Sequence, residues 1–432
     1  MPEIAILFGG YKTLGKRCCV TTHPLCITHG TRRMWNEAAV FEVLVQSNTC
    51  TRVTLQLLAR VSRAARSAVD AHVVSRPGAT VGAYTRGLAK IGHARVRSVR
   101  LSHASYNLQH AQALFEALGC CRRLEDLDLS GFEVMATGDY ERGRFRAAVA
   151  RMLTSEAFPA LRRVRLWEGS SVELADVVAV AAQTPRLCAL HAGRVRLHAA
   201  PDADLTQLAG LRSLKIGECL LPGCVLPWVA KLVTSCRLEH LALSVKPVHA
   251  GFREATEPMA VPENRTLREL RLKSCEIDTA QQAQLLVLVL RALPKLRVCD
   301  LADNAFGAHS GGLVLEALGT CTELRELDVR DCDLDGTCVE ALVNIPAKLL
   351  ALRSFKMKNV LLQNDERRVM AAFSKAPKLL AVEFGDYLSS PAALLALGPL
   401  APVLEVLDLK YKYMSLGCAT TIAEVLFCVG CS

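Results

Sequence analysis

Five residues near the N-terminus are of metal-binding type: Cys18, Cys19, His23, Cys26 and His29. Zinc takes four thiolate or imidazole ligands in a tetrahedron, and Cys19, His23, Cys26 and His29 are the set that would supply them. The whole group spans 12 residues, tighter than the usual paired spacings, and no aromatic pack surrounds it. Neither a metal nor another cofactor is expected. Nucleophilic and phosphate chemistry has less to stand on. The chain contains no G-x-x-x-x-G-K-[ST], G-x-G-x-x-G, H-E-x-x-H or G-x-S-x-G, hence no phosphate cradle, zinc-hydrolase helix or nucleophile elbow of known pattern. An enzyme is not expected.

Charge and composition narrow the remaining classes. The net charge is +10, and residues 1–90 hold twelve Lys/Arg against Glu3, Glu37, Glu42 and Asp70. That segment alone carries +8, so the body of the chain is close to neutral, unlike a nucleic-acid-binding body. RNA or an acidic partner is expected to meet the basic N-terminus instead. Residues 1–34 also have the composition of a mitochondrial presequence. The expected compartment is the cytoplasm or nucleus, with the mitochondrion as the alternative. Apolar runs such as Leu285–Leu290 fall far short of the roughly 18 residues of a membrane span, and no membrane contact is expected. Eighteen cysteines spread over 432 residues, with no secretory apolar segment at the start, predict free thiols in a reducing compartment. Aromatics are only 5%, which predicts a uniform core of Leu, Val and Ala without ring clusters.

The element that must position any functional group is a repeat. The pattern apolar-x-x-apolar-x-apolar starts at Val96, Leu124, Leu161, Leu187, Leu211, Leu238, Leu267, Leu296, Leu324, Leu352, Leu379 and Leu404. The gaps are 28, 37, 26, 24, 27, 29, 29, 28, 28, 27 and 25 residues. Apolar residues at helical spacing follow each copy, as in 281–293 and 311–318. One copy cannot bury its apolar face alone, so copies stack around a shared core. The best copies are LRELRLKSCEI (267–277), LRVCDLADNAF (296–306) and LRELDVRDCDL (324–334). They resemble the leucine-rich repeat, L-x-x-L-x-L-x-x-N/C-x-L, in its long ribonuclease-inhibitor-like and cysteine-containing forms. The resemblance implies a curved α/β solenoid of about twelve repeats, with parallel strands on the concave face and helices on the convex face. Cys219, Cys275, Cys332 and Asn304 fill the N/C position. Ala104, Phe132, Gly169, Val360 and Lys412 depart from it. A small polar side chain there can serve backbone groups left unpaired at the bend. Two irregularities are expected: an insertion within 136–156 that includes Arg142, Arg144 and Arg146, and a proline-rich loop at 246–266 in place of a helix.

Residues 35–73 carry apolar positions of two or three short helices. The stretch L-x-L-L-x-x-V-S-R-x-x-R-x-x-V at 55–69 resembles an F-box. The usual Leu-Pro start is replaced by Trp35-Asn36-Glu37, and Ala65 stands where a tryptophan is common. The resemblance implies that Leu57, Leu58 and Val61 meet a ubiquitin-ligase adaptor. A helical cap covering the first repeat is the alternative. The organisation reads as a basic tail (1–34), a helical F-box-like or capping module (35–91) and the solenoid (92–432).

The residue between repeat positions 4 and 6 points to the open face of the sheet. In order, these are Arg100, Asp128, Arg165, His191, Lys215, Ala242, Arg271, Asp300, Asp328, Lys356, Glu383 and Asp408. The row is mainly basic at its start and mainly acidic at its end. It reads either as solvated charge or as a face for a protein partner of matching polarity. GTPase-activating leucine-rich-repeat proteins use an arginine at the start of the array, but Arg95, Arg97 and Arg100 have no feature that sets one apart. The expected function is a protein-interaction scaffold. Two roles follow: substrate recognition for a cullin-type ubiquitin ligase, or a structural subunit of a ribonucleoprotein or cytoskeletal assembly.

Overall fold

The computed structural model describes residues 72–74, 88 and 93–410, except 102–103, 107, 135–144, 146–147, 155, 167–170, 197–204, 222–223, 248–259, 361, 363–364, 386–390 and 401. The residues of the zinc-type cluster, Leu57, Leu58 and Val61, and Arg142, Arg144 and Arg146 lie outside it.

Among the described residues one parallel path of strands runs in chain order: His72–Val74, Ser98–Arg100, Asp126–Asp128, Arg163–Arg165, Ala189–Arg196, Ser213–Leu221, His240–Pro247, Glu269–Leu272, Val298–Asp300, Glu326–Asp328, Ser354–Met357, Ala381–Gly385 and Val406–Lys410. The sheet does not close. Every pairing is parallel, and position 4 of each repeat meets position 4 of the next: Leu214 with Leu241, Leu241 with Leu270, Leu270 with Cys299; the register shifts by one residue only between Leu243 and Val245. Position 1 is buried in all twelve copies, from Val96 at 0% exposure to Leu404 at 7%. Burying a leucine side chain contributes about 1.5–3 kcal/mol, so this repeated set is the main stabilising layer.

Helices return the chain between strands: Leu108–Gly119, Leu174–Gln183, Leu226–Ser235, Ala280–Arg291, Gly307–Leu318, Val339–Lys348 and Glu366–Phe373. The sequence marks their ends. In Ala280–Arg291, Thr279 Oγ1 accepts from the Gln282 backbone N–H (3.2 Å) and Gln282 Oε1 accepts from the Thr279 N–H (3.3 Å), a reciprocal cap worth about 1 kcal/mol. Ala283, Leu286, Val289 and Leu290 of this helix are buried against the sheet. The shortest repeat, 24 residues from Leu187 to Leu211, is spanned by an eight-residue strand and a 3-10 turn at Leu205–Leu208. A long strand leaves too few residues for a full helix there.

Three findings differ from the sequence reading. The sheet begins one strand before the first recognised copy, at His72–Val74, where Val73 pairs with Val99. The pattern missed it because Asp70 and Ser75 occupy the outer apolar positions. This strand falls in the segment expected to be helical; Leu88, in the same segment, is helical and fully buried. Secondly, the core does contain ring clusters. Phe355 stacks on Phe373 with centroids 4.2 Å apart, and Phe384 meets both edge-on; Phe115, Phe132, Phe145 and Phe158 form a second group. A low aromatic fraction does not prevent clustering when several of the phenylalanines fall on inward positions. Thirdly, the bend after each strand is built in two ways. In the C-terminal copies, Ser274, Asp303, Asp331 and Asn359 adopt left-handed backbone with φ of 52°, 59°, 55° and 55°. In the N-terminal copies, the equivalent segments pair as further parallel strands, Ala104–Tyr106 with Phe132–Val134 and Ser171–Glu173 with Arg194–Arg196. Gly217 belongs to this second arrangement, since a Cβ there would meet the Gly193 carbonyl oxygen at 2.6 Å. Residues 260–266, within the expected proline-rich irregular loop, contain no helix.

Candidate functional site

Register places the twelve residues of the expected row side by side. Arg100 pairs with Asp128, Asp128 with Arg165, Arg165 with His191, His191 with Lys215, Lys215 with Ala242 and Ala242 with Arg271. Arg271 pairs with Asp300, Asp300 with Asp328, Asp328 with Lys356, Lys356 with Glu383 and Glu383 with Asp408. Neighbours are one strand spacing apart, about 4.8 Å.

The row is not uniformly solvated. Asp128, Asp328, Glu383 and Asp408 are all buried, at 6–8% exposure, while Arg165 and Lys215 are exposed and His191 and Lys356 half-buried. The acids sit low on the sheet and the cations reach over them. Three of the aspartates also brace their own strand ends. Asp128 Oδ1 accepts from the Ser130 N–H (3.0 Å), Asp300 Oδ1 from the Ala302 N–H (3.1 Å) and Asp328 Oδ1 from the Arg330 N–H (3.2 Å). A short acidic side chain that accepts from the amide two residues on holds the chain at the strand end.

Lateral neighbours then decide each group's electrostatics. Asp128 lies between two arginines, with Arg100 Nε at 2.8 Å and Arg165 Nη1 at 3.8 Å. Burial alone would raise its pKa, but hydrogen bonds from Ser130 and Arg100 outweigh this and hold it below the usual carboxylate value. Asp300 has one cation, Arg271, at 3.7 Å and a like charge, Asp328, on the other side. Burial first and Asp328 second push its pKa up, despite the Ala302 amide and Arg271. In the middle of the row Glu269 accepts from Arg271 Nε (2.6 Å) and lies 2.9 Å from His240 Nδ1. The two side-chain hydrogen bonds lower its pKa against the opposing effect of burial.

Two partners of the row lay outside the sequence reading. Arg330 donates to Asp328 through Nη2 (2.6 Å) and Nε (2.9 Å), and its Nη1 reaches Glu383 at 3.1 Å. Glu269 ties Arg271 to His240. Each stands two residues from a row member on the same strand or just past its end, so period-2 alternation would have put it on the same face. The acidic end of the row is therefore countered from within: Arg330 spans two strands, and Lys356 lies 3.9 Å from Glu383.

The cysteines are structural where described. Cys332 Sγ donates to the Leu301 carbonyl (3.1 Å) and Cys275 Sγ to the Leu243 carbonyl (3.6 Å). Asn304 fills the same slot completely: Oδ1 accepts from the Cys275 N–H (3.0 Å) and Ile277 N–H (3.3 Å), and Nδ2 donates to the Leu272 and Leu301 carbonyls, both at 2.7 Å. Burial pushes the Cys219 thiol up to about 12 and raises Cys275 and Cys332 as well, so these thiols are protonated and inert at neutral pH. Among the described residues no group of three His, Cys, Asp or Glu has the arrangement of a metal site, and no helix is long and apolar enough to cross a membrane.

A family model described as leucine-rich repeat matches residues 263–280 and 320–343. These segments contain the copies in which Cys275 and Cys332 cap the bend. Comparison with curated proteins finds no match. Among solved structures, the chain is similar to the leucine-rich repeat-containing protein LegL7 from Legionella pneumophila, at 14% identity and a TM-score of 0.38, over 84% of this chain and 98% of that one. The two matched segments are leucine-rich repeats, and the open parallel sheet with its returning helices is the fold of an α/β leucine-rich-repeat solenoid. Such repeats indicate a protein-interaction scaffold.

Proposed function

We propose that the open sheet face, from Arg100 to Asp408, binds a protein partner and that the chain acts without catalysis. The observation that carries this reading is the register that sets ten charged side chains, with His191 and Ala242, side by side on one surface. That surface offers Arg165, His191, Lys215, Arg271 and Lys356 above a floor of carboxylates. Asp300 and Asp328 contribute at the acidic end. Asp300→Lys with Asp328→Lys should slow association with a basic partner segment several-fold at low salt, and the loss should shrink as salt rises. Equal on-rates for the double variant and the parent would sink the reading for that end of the row.

The finer role proposed is substrate recognition for a cullin-type ubiquitin ligase. It rests on the F-box-like pattern at residues 55–69, with Leu57, Leu58 and Val61 as the adaptor contact, outside the described residues. The +8 charge of residues 1–90 favours a second role, a structural subunit of a ribonucleoprotein or cytoskeletal assembly held through the N-terminus. Affinity purification of the full chain separates them. Cullin-complex subunits lost on Leu58→Asp with Val61→Asp support the first. Assembly proteins or RNA retained by that variant support the second.

A further inference from the structure

A second charged surface runs along the edge where the strands begin. Arg268, Arg297, Arg325 and Arg353 each stand immediately before the first residue of four consecutive strands. Their backbones are joined directly: the Arg297 N–H donates to the Arg268 carbonyl (2.8 Å), Arg325 to Arg297 (2.7 Å) and Arg353 to Arg325 (2.7 Å). The four arginine backbones therefore repeat at about the strand spacing of 4.8 Å. Lys295 and Lys378 each lie next to a position-1 leucine on the same rim.

Compensation is confined to one end. Glu323 accepts from Lys295 Nζ (2.5 Å), lies 3.3 Å from Arg297 Nη2 and 3.5 Å from Arg268 Nη1. Arg325 and Arg353 are exposed, and no carboxylate among the described residues lies within 4.0 Å of either. Glu269 and Glu326 are the further acids over these four strands, each one residue past an arginine on the open face, and Glu269 is already held by Arg271 and His240. Six cations thus face three carboxylates. Like charges held side by side oppose folding, so the arrangement is most favourable when an anion lies across them.

We propose that this rim is a docking rail for an extended acidic polypeptide segment, separate from the open-face row. Arginine's fixed fork takes a carboxylate through two hydrogen bonds, and the three strand spacings between the four arginines, about 14 Å, match four to five residues of extended chain at about 3.3 Å each. Single-stranded nucleic acid would need exposed aromatic rings on which bases stack. The described phenylalanines with ring contacts are core residues, and the large apolar side chains exposed at the surface are Leu and Val. Charge complementarity without stacking surfaces therefore favours the acidic peptide.

The test uses the full chain and a fluorescein-labelled oligoglutamate peptide, read by anisotropy at low and high salt. Wild type should bind, with affinity falling as salt rises. Arg325→Gln with Arg353→Gln should weaken binding about tenfold, the loss of roughly one charge-assisted contact's worth of affinity. Arg325→Lys with Arg353→Lys should recover most of it, and Asp300→Asn with Asp328→Asn should leave it unchanged. That last arm separates the rail from the open-face reading. Absence of binding by wild type overturns the rail, and so does equal affinity in the Gln variant, which would assign the binding to the basic N-terminus. Tighter binding of oligouridine RNA that depends on the same two arginines also overturns it and assigns the rim to nucleic acid. A melting temperature equal to wild type shows that the Gln variant is folded.

Discussion

The same slot in the repeat is solved differently in the two halves of the solenoid. In the copies that start at Leu267, Leu296 and Leu324, a small polar residue and a left-handed neighbour make a tight bend; the copy at Leu352 keeps the left-handed neighbour, Asn359, with Val360 in the slot. Asn304 alone satisfies two amides and two carbonyls. In the copies from Val96 to Val245, the slot is apolar or, at Cys219, a thiol inside a strand whose Val195 and Val245 neighbours pair with it on either side. There the backbone finds partners by extending the sheet. The comparison shows that the N/C position answers a demand of the backbone and not of a metal or a reaction. Either capping side chains or further strand pairing meets that demand.

The sharpest way to break this comparison is Asn304→Ala. It removes the side-chain partner of the Cys275 N–H and of the Leu272 carbonyl, while the Leu301 carbonyl keeps the Cys332 thiol, a cost of about 2–4 kcal/mol. Urea unfolding measures it, and a loss below about 1 kcal/mol would show that the bend is held by something else. The converse change is Val195→Asn, which puts an amide where the backbone is already paired. It should destabilise by about 2 kcal/mol, a smaller loss because the strand ladder itself survives. Stabilisation instead would mean that both halves want a capping side chain. Smaller still is a contrast of serines. Cys332→Ser keeps a donor to the Leu301 carbonyl and should cost under about 1 kcal/mol, whereas Cys219→Ser buries a hydroxyl among apolar neighbours and should cost about 1 kcal/mol more.

The halves also differ in acid response, the smallest effect of the set. The folded pKa of Asp128 lies below its unfolded value. Its stabilising contribution is present above the unfolded value and is lost as pH falls through the folded one. Asp300 is shifted the other way. Its ionised form opposes folding, and that penalty is relieved as pH falls through the raised pKa. Asp128→Asn should therefore lower stability at neutral pH and matter less at about pH 3, below the unfolded value. Asp300→Asn should be neutral or slightly stabilising at neutral pH, and it too should lose its effect in acid. Paired urea midpoints at the two pH values check both signs. The same sign for both variants would refute the assignment of lateral neighbours.

The apolar frame was legible because positions 1, 4 and 6 obey one rule, burial, wherever their side chains are described. The row of twelve was legible for the same reason, since a residue between two inward positions must point outward. What escaped were interactions that join copies. Arg330 reaches Glu383 across 53 residues of chain, and no local pattern announces a pair that exists only through stacking. The burial of Asp328 and Glu383 was hidden too, because alternation tells which face a side chain takes but not how deeply its neighbours cover it. The first strand was missed where Asp70 and Ser75 break the apolar rule while the backbone keeps its pairing. The pattern at 55–69 and the cluster at Cys18–His29 lie beyond the described residues, and their proposed roles rest on sequence alone.

The junction between copies is chemically the same throughout. The Arg97 carbonyl receives the N–H groups of Glu125 and Asp126, that of Arg212 receives Glu239 and His240, that of Arg268 receives Arg297 and Val298, and that of Leu380 receives Glu405 and Val406. Any copy can in this sense mate with any other. Deleting or duplicating one whole unit in the gene would leave the pattern of backbone hydrogen bonds at the new seam unchanged and alter the length of the array by a single step of about 4.8 Å. Length is therefore a trait such a chain can vary without redesigning its interior. A deletion of part of a unit has no such escape, because it would set the carbonyl of one copy against the wrong amides of the next.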